Sequence, residues 1–390
     1  QTGAQFGEML DHFDQARALK VGLWNGRHPD GYSTMNIGRL YEFLEFYVAE
    51  RVPKMPAALS SALGNVIAEN FGFTDGQVPP DRFAEEFGDD YDAALDAYER
   101  EDPVRVVFGS GTGANEVGEP GGTFETTFSS WPPREAQATK WYLDAGSKLS
   151  TEKPAADDGD GRDGDGVDTF GFDPEAGSIT LLADYSTLEP IQHWNWTHFP
   201  DGKAVAYETA PLEEDVVVAG SGYLDLWVGA NASDADVQVT VSEVRADGIE
   251  YLVQNGWLRL GHRAVDEDRS DELEIVHPFT ADAYEPLPAD SELVEAKVEL
   301  PSMGQVFRAG SRLRIVVSSP GRNHVTWTFQ PPEGVGADTT YRVGRGGETA
   351  SALVLPVVNL DVDAPATPAP CPGLRGQACR PYYPLANHPG

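Results

Sequence analysis

The chain has 390 residues, enough for at least two packed domains, and its 63 acidic and 28 basic residues give a formal net charge of −35. Nucleic-acid affinity depends on Lys and Arg neutralising phosphates, so this charge excludes a nucleic-acid-binding protein. No stretch approaches the ~20 apolar residues that a membrane-spanning helix needs, so we expect no membrane span.

The beginning of the chain carries no targeting signal. Residues Gln1–Leu10 contain no basic region, apolar run or small-residue cleavage site, and the first residue is not Met. We therefore expect the chain to be a processed product or a piece of a longer protein.

Residues 1–102 are predicted to be mostly helical, with one strand. Leu19–Trp24 is a short apolar strand, and the turn-rich segment Asn25–Gly31 follows it. The helical stretches, with apolar residues three and four apart, are Phe6–Ala16, Ile37–Glu50, Ala57–Asn70 and Asp81–Glu101. A strand, a polar loop and a long helix in this order are typical of an α/β layer, here only its end.

Residues 103–360 are predicted to be a β-sandwich, because their hydrophobic period changes to two. The predicted strands are Val106–Phe108, Thr123–Phe128, Thr139–Leu143, Val205–Glu208, Tyr223–Ala230, Asp236–Val244, Trp257–Leu260, Val294–Leu300, Arg312–Ser318 and Ser351–Val358. Asp236–Val241 alternates apolar and polar residues, which predicts a strand with one solvent-exposed face. So many strands without helices indicate a jelly roll, so the predicted fold class is mainly β.

Residues 361–390 form a Pro-rich tail that we expect to lie extended on the surface, with few core contacts. Cys371 and Cys379 lie eight residues apart in it, and with only His388 nearby they make a poor zinc site. A disulfide closing a small loop is the favoured interpretation, and two free thiols are the alternative. A disulfide would require an oxidising compartment, and together with the acidity it predicts a secreted bacterial protein.

The sequence offers little for a metal or a cofactor, and we expect none. The acidic loop of residues 157–168 has carboxylates at Asp158, Asp160, Asp163 and Asp165, which could bind calcium. Arg162 occupies the fifth position of an EF-hand pattern, where a ligand belongs, so a flexible acidic loop is favoured. His193 and His198 are five apart in an aromatic stretch, where packing or a substrate-facing wall is favoured over metal binding.

The sequence contains no nucleophile motif G-x-S-x-G, which would place a serine between a strand and a helix. In Gly109–Gly113 the glycines are out of register with this motif, and the Lys of a phosphate-binding loop is missing. We interpret this segment as a glycine-rich turn.

His28 is the candidate catalytic residue. It lies in a tight polar turn between an apolar strand and a long helix, where α/β-hydrolases place their general-base histidine. We expect Leu19–Trp24 to be an edge strand, with the following helix packed on it through Leu40, Leu44 and Val48. The imidazole should then face a cleft beside the sandwich.

Motifs along Leu19–Val358 support this interpretation. They are Asn25–Ser33, Tyr41–Val48, Ser130–Pro133, Trp141–Asp144, Tyr207–Leu212 with Gly220, Ala235–Val237, Val244–Gly248, Asn255–Arg259, and Val306–Arg314 with Ser318. In this order they resemble the C-terminal portion of the cocaine esterase / X-prolyl dipeptidyl peptidase family of serine hydrolases.

The resemblance implies an α/β-hydrolase domain ending in residues 1–102, followed by a jelly roll. It implies cleavage of ester or amide bonds by a Ser-His-Asp mechanism, with an acyl group or an X-prolyl dipeptidyl group on the carbonyl side of the bond. His28 would be the general base, and the jelly roll would wall the cleft. The expected partners are the missing N-terminal hydrolase portion and a small-molecule ester or peptide substrate.

The serine and the acid precede the histidine in that family, so the resemblance places both at or before Gln1. Asp11 and Asp14 lie within a predicted helix, whereas the acid must reach the histidine from a strand end. Asp30 shares the turn of His28 and is also a poor candidate. We therefore expect this chain alone to lack the nucleophile and the acid.

A jelly-roll binding module, for carbohydrate or a protein partner, is the alternative function. Exposed tryptophans would then stack on sugar rings, and the candidates are Trp194, Trp196, Trp257 and Trp327. Such a module has no use for a strand, a histidine loop and a helix from an α/β sheet, so residues 1–102 favour the hydrolase.

Overall fold

The computed structural model describes residues 4–13, 15–73, 76, 78–79, 81–112, 116–122, 124–155, 166–181, 193–321, 330–362 and 368–389. Its α-helices are α1 Thr34–Tyr47, α2 Ala57–Phe71, α3 Ala84–Phe87 and α4 Tyr91–Arg100. Its 3₁₀ helices are Ala4–Phe13, His28–Tyr32, Leu260–His262, Ala281–Ala283 and Gly347–Thr349.

The strands of the N-terminal half are β1 Val21–Trp24, β2 Val104–Phe108, β3 Phe124–Phe128, β4 Gln137–Asp144, β5 Lys148–Ser150, β6 Val167–Gly171, β7 Ile179–Leu181, β8 Trp194–Trp196 and β9 Ala204–Glu208. The later strands are β10 Val216–Ala230, β11 Asp236–Val244, β12 Ile249–Arg259, β13 Val294–Phe307, β14 Arg312–Ser318, β15 Thr340–Gly344, β16 Ala352–Val358, β17 Cys379–Pro381 and β18 His388–Pro389. The predicted mainly-β fold class is confirmed.

The large unit is a sandwich of two layers. Its strands follow one continuous hydrogen-bonded order, β17-β12-β11-β14-β9-β5-β4-β16-β10-β15-β6-β18, with β13 also paired to β10. The strands around β11 form one layer and those around β10 form the other. The layers meet through apolar side chains that alternate along their strands, among them Val239, Ile315, Leu226, Val298 and Leu353, each fully buried. This core rather than local propensity holds the strands in register.

A small sheet of order β1-β2-β3 lies at the other end of the chain. Strands β1 and β2 are parallel, with Val21 opposite Val104 and Trp24 opposite Val107. The sheet packs on the sandwich through one apolar cluster that includes Val106 of β2 and Val217 of β10. The sheet therefore spans the domain boundary predicted between residues 102 and 103.

The predicted packing of α1 through Leu40, Leu44 and Val48 is wrong, because these side chains are 43%, 44% and 73% exposed. The helix instead buries the face that carries Phe46, whose ring stacks on Tyr98 of α4 with centroids 4.8 Å apart. Two glutamates share this buried face, and each is paired with an arginine there. Arg82 donates to Glu42 at 2.8 and 2.6 Å, and Arg51 donates to Glu45.

Two of the predicted helices differ in form. The stretch predicted as Asp81–Glu101 is two helices, α3 and α4, because Gly88 turns the chain in the left-handed region at φ 61° and Asp90 caps α4. The stretch predicted as Phe6–Ala16 is a 3₁₀ helix, Ala4–Phe13. Of its predicted stripe, Leu10 packs on the apolar cluster beneath β2, while Met9 and Phe13 are about half exposed.

Strand β11 has no solvent-exposed face, contrary to the prediction. Its polar residues Gln238, Thr240 and Ser242 are as buried as the valines between them. They are hydrogen-bonded: Thr240 donates to Asn255 at 2.9 Å, and Ser242 donates to Glu250 at 2.8 Å. The alternation is real, but the second face lies under other parts of the chain.

The tail supplies part of that cover, so its predicted extended surface position is wrong. Strand β17 pairs with β12, and β18 pairs with β6. Arg380 is 5% exposed, donates to Glu250 at 2.8 Å and lies over the ring of Trp196 at 3.7 Å. The predicted disulfide between Cys371 and Cys379 is present in the tail. None of the described helices has the length and apolar character of a membrane span.

Candidate active site around His28

The site begins at the carboxyl ends of β1 and β2. Because these strands are parallel, the loops that follow them, starting at Asn25 and Gly109, leave the sheet at the same edge. Ligand crevices of α/β sheets lie at such edges. A hydrogen bond joins the two loops here, since the Ser110 amide donates to Asn25 Oδ1 at 3.1 Å.

His28 is the first residue of the 3₁₀ helix His28–Tyr32, four residues after the end of β1. Its backbone therefore lies where the sequence predicts it, in the loop between β1 and α1. The direction of its imidazole is outside what the structure describes, so the predicted orientation and the catalytic role stay predictions.

Asp30 organises this turn from inside. Its carboxylate accepts from the amide of Arg27 at 2.9 Å, and its carbonyl accepts from Asn36 Nδ2, at the start of α1, at 2.9 Å. The turn is thereby tied to itself and to the helix that follows.

Arg375 of the tail holds the Asp30 carboxylate in a two-point ion pair. Its Nε donates to Oδ2 at 2.8 Å and its Nη2 donates to Oδ1 at 2.5 Å, and neither side chain is exposed. Both carboxylate oxygens of Asp30 thus accept from Arg375. Of the other rejected acids, Asp11 lies in the 3₁₀ helix Ala4–Phe13 and Asp14 lies outside the described residues.

Sequence reasoning missed Arg375. The contact with Asp30 spans 345 positions of the chain, so no local pattern could show it. The available signal was a lone arginine between glycines in a disulfide-closed loop of a chain with few basic residues.

The other candidates of the sequence do not assemble into a second site. Gly109–Thr112 form a turn after β2, as predicted, with Gly109 and Gly111 in the left-handed region. The ring of His198 packs on Tyr383, with centroids 5.1 Å apart, and partial burial and then the charge of Arg380 lower the pKa of His198. Within the described ranges, no three His, Cys, Asp or Glu side chains are placed to hold a metal ion. The acidic loop carboxylates from Asp158 to Asp165 lie outside those ranges.

Of the tryptophans proposed for sugar stacking, the three that the structure describes are buried or partly buried. Trp196 is 5% exposed beneath Arg380, and Trp194 is partly buried beside it. Trp257 is partly buried and donates through Nε1 to Gln238 at 3.0 Å. Trp327 lies outside the described residues. The tryptophans that the structure describes therefore give the carbohydrate-binding alternative no support.

Comparison with known proteins adds a family. The model of the X-Pro dipeptidyl-peptidase C-terminal non-catalytic domain matches residues 97–354. Two curated proteins from Mycobacterium bovis and Mycobacterium tuberculosis, whose names assign them to the serine esterases, are 26% identical to this chain over 237 residues. That match covers 58% of this chain and 35% of each relative, so the chain spans about a third of their length.

A solved structure shows the same fold. The CocE/NonD family hydrolase from Staphylococcus aureus superimposes with a TM-score of 0.55 at 19% identity, covering 90% of this chain and 50% of that chain. The resemblance read from the motifs is confirmed. His28 lies before the segment that the family model matches, and that segment runs from the end of α4 into β16, more than half of the chain. The chain therefore belongs to the family of the X-Pro dipeptidyl-peptidase C-terminal non-catalytic domain.

Proposed function

We propose that this chain is the C-terminal part of a serine hydrolase that cleaves ester or amide bonds. In this proposal His28 is the general base, and the sandwich forms one wall of the substrate cleft. The nucleophilic serine and the acid come from an N-terminal hydrolase portion outside these 390 residues.

The observation that supports this most strongly is the position of the His28 turn. It follows the carboxyl end of a strand in a parallel pair, and a long helix follows the turn. A general-base histidine needs such a loop, because the reacting groups of α/β enzymes converge at this edge of the sheet.

Two surfaces support a missing portion. Within the described residues, β1 pairs only with β2, so its other edge is free to continue a sheet. Leu40, Leu44 and Val48 form an exposed apolar stripe on α1, the face that an α/β layer would cover. The curated relatives are about three times as long as the matched segment, which gives room for that layer.

The proposed reaction has two half-reactions. The serine hydroxyl attacks the acyl carbon, His28 takes its proton, and the proton passes to the alcohol or amine that leaves. A water molecule then attacks the acyl-enzyme, His28 takes a proton from it, and the serine receives that proton as the acid product departs. The substrate is an ester or a peptide. The group that it transfers to the serine is an acyl group or an X-prolyl dipeptidyl group.

We also propose that the protein acts outside the bacterial cytoplasm. The disulfide between Cys371 and Cys379 supports this, because disulfides form and persist in oxidising compartments. Alkylation of the protein in intact cells, before any lysis, tests it: thiols that react at both cysteines would contradict it.

The test of the function uses the complete polypeptide, which is this chain together with the N-terminal portion. His28→Ala should lower kcat for a p-nitrophenyl ester by about 10³-fold or more, because members of a triad act as a unit. His262→Ala, in the sandwich, is the matched control and should leave kcat within about twofold, as for a substitution away from the chemistry. A His28→Ala variant with near-normal kcat would refute the proposal.

A further inference from the structure

The disulfide loop of the tail lies directly against the His28 turn. We call residues Cys371–Cys379 the tail loop. Asn25, the first residue after β1, donates through Nδ2 to the carbonyl of Arg375 at 3.0 Å and to Gln377 Oε1 at 2.5 Å. The tail loop therefore touches the beginning of the segment that carries His28.

Arg375 joins both loops of the site edge. Its amide donates to the carbonyl of Ser110 at 2.8 Å, and its Nη1 donates to the carbonyl of Gly118 at 2.6 Å. The remaining guanidinium nitrogens form the ion pair with Asp30. One side chain thus ties the loop after β1 to the loop after β2.

The approach of the two backbones is closer than a side chain would allow. Gly376 has φ 71°, and a Cβ placed on it would lie 2.7 Å from the carbonyl oxygen of Gly26. Only glycine fits both requirements, the left-handed conformation and the contact. The tail loop is therefore shaped to the His28 turn.

The tail loop is itself anchored on the sandwich. The disulfide joins its ends, and Cys379 begins strand β17, which pairs with β12. The hydroxyl of Tyr251, on β12, donates to the carbonyl of Pro370, just before the loop. Burial raises the pKa of Tyr251 to about 12, against the charge of Arg245, so the hydroxyl keeps this proton at neutral pH. The disulfide and strand β12 thus hold the loop that carries Arg375.

We propose that Arg375 is a positioning residue for His28. Through the buried pair with Asp30, it holds the His28 turn in the geometry that the reaction needs, and the disulfide holds Arg375. The proposal rests on the proposed function of His28. A planar, two-point contact fixes orientation as well as distance, which a single hydrogen bond would not.

The chain provides a matched control in the same tail. Arg380 is also a buried arginine paired with a buried carboxylate, Glu250, but that carboxylate belongs to the sandwich strand β12. Loss of Arg375 leaves the buried Asp30 carboxylate without its arginine, whereas Glu250 keeps Arg314 when Arg380 is lost, so Arg375→Met should lose at least as much stability as Arg380→Met. Only the loss of Arg375 should disturb the His28 turn.

The first measurement is amide hydrogen exchange on the 390-residue chain. Arg375→Met should raise the exchange of residues 26–33 by about tenfold or more, as expected when a local opening loses its main restraint. Arg380→Met should leave that segment unchanged and affect β12 and β17. Equal protection of residues 26–33 in both variants would overturn the proposal.

The second measurement is steady-state kinetics of the complete polypeptide with a p-nitrophenyl ester. Arg375→Met should lower kcat by about 10–100-fold with KM within about threefold, because misplacement of a catalytic group by ~1 Å has an effect of this size. Arg380→Met should keep kcat within about twofold, at a temperature where both variants are folded. A loss of kcat in Arg380→Met equal to that in Arg375→Met would overturn a positioning role.

A double variant separates the loss of positioning from a loss of folding. Asp30→Asn combined with Arg375→Met leaves no unpaired charge, so it should fold better than Arg375→Met and still show the low kcat. A normal kcat in this double variant would contradict the proposal. If His28→Ala keeps its activity, the proposed function fails and this proposal with it. If His28→Ala is inactive while Arg375→Met is normal, only the positioning role fails.

Discussion

Glu250 is a buried carboxylate of the sandwich with several charged and polar partners. It is fully buried and accepts from Arg314 at 3.0 Å, from Arg380 at 2.8 Å and from Ser242 at 2.8 Å. Burial opposes ionisation, but the charges of Arg314 and Arg380 outweigh it and lower the pKa of Glu250. One carboxylate therefore balances two arginines that the fold has removed from water.

We expect Glu250→Gln to destabilise the chain by about 3–5 kcal/mol at pH 7, because it removes the carboxylate that pairs with buried Arg380 and leaves Arg314 with only its pair to Glu208. Urea unfolding measures this. The surface pair of Arg263 with Glu285, which is 74% exposed in its side chain, is the control, and Glu285→Gln should cost no more than about 1 kcal/mol.

The direction in which the stability contributed by Glu250 changes with pH follows from its lowered pKa. The carboxylate contributes stability above its ordinary pKa of about 4.3, and this contribution is lost as the pH falls through the lowered value in the folded state. The difference between wild type and Glu250→Gln should therefore shrink below about pH 4. A difference that grows on acidification would contradict this assignment.

Asp225, on β10, shows the opposite shift. Burial, and then the negative charge of Glu295 on β13, raise its pKa to about 6, although Lys297 and Lys140 counteract. The folded state binds this proton more tightly than the unfolded state, so the related stability is complete below the ordinary pKa and is lost as the pH rises through about 6.

We therefore expect the stability of Asp225→Asn relative to wild type to be higher at pH 8 than at pH 4.5. These pH values lie about two units above and about 1.5 units below the raised pKa. Thermal unfolding at the two pH values measures it. A variant whose advantage is the same at both values would show that Asp225 titrates normally.

At the scale of elements, helix α1 has two faces with different partners. The face with Phe46 packs on α3 and α4, while the face with Leu40, Leu44 and Val48 is exposed in this chain. An amphipathic pattern shows which face is apolar, but it does not show whether the covering element belongs to the same chain. This is why the predicted packing of α1 was wrong.

The two faces predict different outcomes. Phe46→Ala should destabilise the isolated chain by about 3–5 kcal/mol, as for a fully buried aromatic ring. Leu44→Glu should change the stability of the isolated chain by less than about 0.5 kcal/mol but weaken the complete polypeptide, if the proposed N-terminal portion covers the stripe there. An effect of Leu44→Glu that is equally small in both would show that nothing covers the stripe.

The tail loop is the second element whose role the sequence understated. Closing about nine residues corresponds to roughly 2.5 kcal/mol of unfolded-state entropy, and the loop also holds the buried Arg375. Cys371→Ser with Cys379→Ser should lower stability by up to this amount, measured by urea unfolding. Before reduction the wild-type protein should not react with iodoacetamide, and alkylation of both thiols would disprove the disulfide.

Much of the fold could be predicted because strand patterns are local. Strands β11 and β14 have the predicted bounds, since apolar residues recur at every second position from Val237 to Val241 and from Leu313 to Val317. Strands β10 and β13 run beyond their predicted ends, because the glycines and Pro301 that interrupt the pattern still lie within one long ladder from Val216 opposite Phe307 to Val228 opposite Val294. The position of His28 was also local, but its restraint by Arg375 was not.

At the scale of the whole molecule, the chain joins the small sheet β1-β2-β3 to the sandwich. The apolar cluster beneath β2 combines residues from both, among them Val104, Ala219 and Val358. The tail connects the His28 turn with the sandwich, because Arg375 pairs with Asp30 and β17 pairs with β12. The sandwich therefore supports the His28 turn, although the family description of this segment is non-catalytic.

This arrangement predicts that the chain alone is inactive. Expressed by itself, it should hydrolyse p-nitrophenyl acetate no faster than its own His28→Ala variant, because an imidazole without the nucleophile and the orienting acid has no triad to act in. Turnover by the isolated chain that depends on His28 would show that the nucleophile lies within these 390 residues.

The most direct test of the account is labelling of the complete polypeptide with a fluorophosphonate, followed by mass-spectrometric location of the label. The probe reacts with a serine that a general base activates. We expect one labelled serine outside residues 1–390 and loss of that label in His28→Ala. A label on a serine within residues 1–390, or full labelling of His28→Ala, would contradict it.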